Sequence, residues 1–150
     1  YGPNDNFDLK TSHVLPAMIR KFHEAKMDNH SPVTLWGSGS PMREFLHVDD
    51  LASAVVFALE NTLDEHLYNV GSGIDLTIKS LAKMVQRIVG HTGEITWNET
   101  KPDGTPKKLI DSSKLNKLGW SSDINLNSGI EKTYLWFLEN ILNIKELKFR

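Results

Sequence analysis

A chain of 150 residues is long enough for one domain with a real core, since proteins of this size bury roughly 68–70% of the surface they expose when unfolded. Its 17 basic and 19 acidic side chains are mixed along the sequence and leave a formal net charge of -2, which argues against polyanion or nucleic-acid binding. With no cysteine, disulfides, thiolate metal sites and thiol nucleophiles are excluded within it, and no apolar run approaches the roughly 20 residues of a bilayer-spanning helix.

The chain opens on Tyr1-Gly2-Pro3, a turn-type tripeptide without an initiator methionine, and reads as a piece of a longer protein. Val14, Leu15, Met18, Ile19 and Phe22 recur at helical spacing, so a helix is expected over 13–27, with Ser12 as N-cap and Pro16 in the first turn. The β-branched and aromatic run Val33–Trp36 predicts a strand that ends at the Gly37-Ser38-Gly39-Ser40-Pro41 turn. "REFLHV" alternates and predicts a second short strand, after which Asp49 or Asp50 caps a helix with Leu51, Ala54, Val55, Ala58 and Leu59 on its apolar face.

"LYNVGSG", 67–73, predicts a strand running into a glycine turn, and Thr77 caps an amphipathic helix that ends at Gly90. "EITW", 94–97, predicts another strand. The stretch 98–108, with two prolines, a glycine and three lysines, has no periodicity and is expected as a loop. A short helix over 113–118 and a longer one over 127–140, striped by Ile130, Thr133, Tyr134, Phe137 and Ile141, complete the pattern. The charged tail "IKELKFR" reads as a frayed end. The class is mixed α/β, and no strand is followed by G-x-G-x-x-G or a Walker-type loop.

Five features could carry chemistry, each with a plainer reading beside it. His13, at a helix N-terminus, can trade protons near neutrality or simply cap the helix. Lys21 lies two helical turns along, roughly 12 Å away at 1.5 Å per residue, a span suited to a reacting sugar and a phosphate; alone it is an ordinary solvated lysine. Trp36 can stack on a base or sugar, or fill a core. Arg43 offers a planar fork to a phosphate, or an ion pair to Glu44 or Asp49. The loop Lys101-Pro102-Asp103-Gly104-Thr105-Pro106-Lys107-Lys108 combines a tight turn, stiffening prolines and positive charge that suits a diphosphate, or is a solvated basic loop.

Together these features carry a resemblance. "YGPNDNF", "SHVLPAMIRKFHEAK", "LWGSGSPMREFLHVDDLA", "YNVGSG", "KPDGTPKKLID" and "TYLWFLEN" resemble, in order and from Tyr1 to about Asn140, segments of the extended short-chain dehydrogenase/reductase family. "R-E-F-x-H-V-x-D" is shared by many sugar-nucleotide epimerases and dehydratases of that family. "SHVLPA" and "KPDGTPKK" point to a branch that epimerises and reduces a GDP-sugar.

The resemblance implies an α/β C-terminal substrate-binding part, spanning 1–150, with a small mixed sheet and four to five helices, the N-terminal NADP-binding Rossmann domain being absent from this chain. It implies an enzyme that epimerises GDP-4-keto-6-deoxy-D-mannose at carbons 3 and 5 and reduces its 4-keto group with NADPH, giving GDP-L-fucose. It assigns His13 a proton-donor role and a place near the cofactor, and gives GDP-sugar contacts to Lys21, Trp36, Arg43, Asp103 and Lys108. No metal is implied, and the setting is cytoplasmic. The resembled enzymes are homodimers whose contact lies largely in the Rossmann half. Within "SPMREFLHVDD", Arg43 is expected to face the substrate, while Glu44, His47, Asp49 and Asp50 form the turn that positions it. His47 and Asp49 are then chiefly scaffold. Open alternatives are another nucleotide-sugar epimerase or dehydratase, and a binding module without catalysis.

Overall fold

The computed structural model describes residues 1–144, so the expectation of a frayed tail over 145–150 lies outside the described residues. The elements, in chain order, are α1 (Val14–Met27), β1 (Val33–Trp36), β2 (Met42–Glu44), α2 (Val48–Glu60), β3 (Asp75–Thr77), α3 (Ile78–Val89), β4 (Ile95–Asn98), β5 (Lys107–Lys108), α4 (Ser113–Lys117) and α5 (Leu126–Ile144). The class is α/β, as expected, but the strands form two small sheets instead of one. β1 and β4 pair in parallel, with Val33 opposite Ile95 and Trp36 opposite Asn98. In the second sheet β2 is central, antiparallel to β3 and parallel to β5.

Helices α1, α3 and α5 bury their apolar stripes against one another around Ile19, Phe22, Leu81, Val85, Ile130 and Phe137. The α3 boundaries follow from its caps. Thr77 Oγ1 accepts from Ser80 N at 3.0 Å, and the Gly90 N–H closes the other end on Gln86 and Arg87. At α1 the expected Ser12 cap is displaced. Ser12 N is held by Asp8 O at 2.8 Å in a preceding turn, the chain becomes extended only at His13, and His13 occupies the N-cap without a side-chain cap bond.

Three further expectations are corrected. "REFLHV" is strand only to Glu44, because the chain turns there into α2, whose N-cap is His47 and neither Asp49 nor Asp50; His47 Nδ1 accepts from Asp49 N at 3.2 Å. The strand predicted over 67–70 is absent among the described strands, and pairing starts instead at Asp75, since the expected glycine turn, 71–73, wraps the Glu44 carboxylate. The apolar face foreseen on α2 is mostly uncovered: Ala54 is buried, but Leu51, Val55, Val56 and Leu59 are exposed, Leu59 at 82%. Only a small cluster of Ala54, Leu115 and Trp120, with Leu46, Phe57, Tyr68 and Val70, packs beneath it.

The scaffold carboxylate of the motif is Asp50, not Asp49. Asp50 is 4% exposed, and its two oxygens accept from Asp123 N and Ile124 N, each at 3.1 Å, tying α2 to the segment that leads into α5. Asp49 projects into solvent. The motif residue at each position follows from helix periodicity: one residue of α2's first turn faces inward and its neighbour outward.

Gly39 holds the two sheets' connection in place. Its φ is +75°, and a Cβ there would lie 2.5 Å from the Trp97 ring. Gly39→Ala is therefore expected to lower stability by about 2–3 kcal/mol, strain plus overlap, in urea unfolding. Gly73→Ala, at φ +73° with open space around it, should cost only about 1–2 kcal/mol. Equal losses at the two positions would reject the close-approach argument. No helix among the described residues is long and apolar enough to cross a membrane.

Candidate functional site

The largest concentration of sequence-predicted residues lies where α1, the ends of β1 and β2, and the 99–108 loop meet. His13 starts α1, Trp36 ends β1, Arg43 is the middle residue of β2, and Lys108 is its partner across the parallel β2–β5 ladder. Asp103 lies in the loop that leads into β5. These five side chains line one open cleft of about 600 Å³, a volume in the range of small-molecule sites. They come from four separate stretches of sequence.

Lys21 does not line that cleft. Two turns along α1, its Nζ has passed the site and donates to Thr34 O at 3.2 Å, while standing 6.0 Å from the Trp36 ring centroid. Partial burial pushes its pKa below the ordinary lysine value. Trp36 settles its own ambiguity, because it is 68% exposed and belongs to no core cluster. A second ammonium, on Lys101 of the loop, lies 5.4 Å from the same ring, so the indole face is already flanked by two cations.

The loop is tied down by Asp103. Its Oδ1 accepts from Ser38 N and its Oδ2 from Ser38 Oγ, both at 2.7 Å, and Ser38 Oγ in turn accepts from Ser40 Oγ at 2.7 Å. The hydroxyl and amide of Ser38 hold this carboxyl below the usual carboxylate range. Arg43 pairs with neither Glu44 nor Asp49. Its Nη1 donates only to Met42 O, at 2.7 Å, and among the described residues neither Arg43 nor Lys108 has an ion-pair partner. Lys107, by contrast, is held by Asp75 at 3.2 Å. Two uncompensated cations thus stand side by side on adjacent strands, an arrangement suited to a polyanionic group.

The sequence reading missed Tyr1 and underused Glu44. Tyr1 lines the cleft, its ring packs edge-on against the buried His47 at 5.3 Å, and its hydroxyl abuts Gly129. Burial first, and the charge of Asp50 second, push its phenol far above the ordinary value, so it stays protonated. An N-terminal aromatic carries no periodic signal that could have revealed this. Glu44 was legible as a member of the alternating motif, but not its partners, which lie 28, 29 and 66 residues away.

Comparison with known proteins gives three findings. Residues 1–71 match the model of the NAD dependent epimerase/dehydratase family. Over 146 residues the chain is 56% identical to putative GDP-L-fucose synthase 2 of Arabidopsis thaliana, covering 97% of this chain and 44% of that one. It is 49% identical to GDP-L-fucose synthase of Escherichia coli strain K12, covering 93% and 46%. Among solved structures, a GDP-L-fucose synthetase from Naegleria fowleri bound to NADP superposes with a TM-score of 0.88 at 28% identity, covering 95% of this chain and 43% of that one. The chain therefore spans less than half the length of these relatives.

Proposed function

We propose that this chain belongs to the extended short-chain dehydrogenase/reductase family and is the GDP-sugar-binding part of a GDP-L-fucose synthase. The complete protein would convert GDP-4-keto-6-deoxy-D-mannose to GDP-L-fucose by epimerisation at carbons 3 and 5 and reduction of the 4-keto group. The observation that carries the reading is the convergence of His13, Trp36, Arg43, Asp103 and Lys108 on one cleft.

The chemistry explains the residue types. A hydrogen on a carbon next to a ketone is acidic, so inversion removes it as a proton to a base on one face of the sugar, leaving an enolate that takes a proton from an acid on the other face. His13 delivers that proton from the end of α1. Arg43 and Lys108 hold the diphosphate, and Trp36 offers an exposed ring to the nucleoside. The described residues contain no strand, glycine turn and helix that could cradle a dinucleotide, and on this reading His13 is the chain's contact to the cofactor. NADPH, when bound by the remainder of the polypeptide, supplies the hydride for the 4-keto carbon.

The exposed apolar side of α2, with Leu51, Val55, Val56 and Leu59, supports a second half of the protein packing there, since a lone domain rarely leaves such a face in water. On this reading the protein is a homodimer through that other half, works in the cytoplasm, and the isolated 150 residues bind weakly and do not turn over. In the full-length protein, Arg43→Ala is expected to raise the KM for the GDP-sugar about tenfold or more, with the melting temperature nearly unchanged, because a charged hydrogen-bonding partner of the substrate is lost and none of the fold. An unchanged KM measured in steady-state NADPH oxidation would reject the phosphate role.

A further inference from the structure

Glu44 follows Arg43 on β2, and its carboxylate pairs with neither Arg43 nor Lys108. Its Oε1 accepts from Gly73 N at 2.7 Å and from Ser72 Oγ at 3.2 Å, while Oε2 accepts from Ile110 N at 2.9 Å. One carboxylate thus joins three separate stretches: the end of β2, the Gly71-Ser72-Gly73 turn and the chain two residues past Lys108. The fit is tight, since a Cβ on Gly71 would lie 2.5 Å from Oε1. Here the "GSG" of 71–73 finds a purpose that its sequence alone did not give it.

We infer that Glu44 is a positioning residue for diphosphate binding: by spending its charge on backbone donors it fixes β5 beside β2 and leaves Arg43 and Lys108 unpaired and parallel. Two physical points carry this. β5 has only two residues, so the β2–β5 ladder is too short to hold its own register, and the bond to Ile110 N supplies a lock just beyond it. A carboxylate that accepts from two amides and a hydroxyl is also held away from Arg43 and Lys108, which stay free for a ligand. The glycine turn therefore acts at a distance. It holds the glutamate, and the glutamate keeps the cations available.

The inference rests on the reading of the cleft as a GDP-sugar site, and the test separates the two. GDP and guanosine are titrated calorimetrically into the full-length protein and its Glu44→Gln and Glu44→Ala variants. Glutamine keeps one acceptor but places an amino group against the second amide, so each variant should bind GDP about tenfold or more weakly, given the strength of charge-assisted hydrogen bonds. Guanosine, which lacks the phosphates, should bind all three proteins equally. Ser72→Ala, which removes the longest of the three bonds, should change GDP affinity by no more than about threefold. Equal losses for GDP and guanosine, or a fall in melting temperature with GDP affinity unchanged, would assign Glu44 a purely structural part and overturn the inference alone. Wild-type protein that bound neither ligand would overturn the functional reading and the inference with it.

Discussion

Asp50→Ala should lower the unfolding free energy by about 2–5 kcal/mol, because it removes the charged acceptor of two part-buried amide donors at once. The carboxylate is nearly inaccessible and receives Asp123 N and Ile124 N, so no water can replace it without opening the contact between α2 and the approach to α5. Against typical stabilities of about 5–15 kcal/mol, that is a large fraction. Asp50→Asn, which keeps one acceptor and sets an amino group against the other donor, should lose nearly as much. Asp49→Ala should cost under about 1 kcal/mol, since its exposed carboxylate only favours the first turn of α2. Urea unfolding of the three variants checks the ordering, and comparable losses at positions 49 and 50 would contradict it.

The second large effect is chemical. In the full-length protein, His13→Asn should slow the inversion of carbons 3 and 5 of the GDP-sugar by about 100-fold or more, the contribution of a positioned acid. Asparagine is a good N-cap and cannot deliver a proton at neutral pH, so the start of α1 should survive the change. The melting temperature and the affinity for GDP should therefore stay near wild type. Inversion at an undiminished rate would remove His13 from the epimerisation.

What was legible in the sequence follows the length over which each signal acts. The α3 helix could be read from its caps and its stripe because both are local, and so could the strand Val33–Trp36. Exposure of α2's apolar face could not, since periodicity marks which residues share a face and is silent on what covers it. Glu44 and Asp50 take their places from backbone donors that lie 29 to 74 residues away, which no local pattern records. Lys21 shows the converse: its spacing from His13 was sound as helix geometry, yet the Thr34 carbonyl captures it before the cleft does. The strand expected at "LYNV" was right in composition, but the glycine turn that follows gives its amide to a carboxylate and not to a neighbouring strand.

Whether these side chains act as one site is answered by titrating GDP into isotope-labelled full-length protein and following the Trp36 indole, the His13 ring, the Arg43 guanidinium and the Lys108 amide by NMR. A shared cleft predicts that all four signals move along one saturation curve with a single dissociation constant. Signals that stay still, or that titrate at separate concentrations, would contradict it.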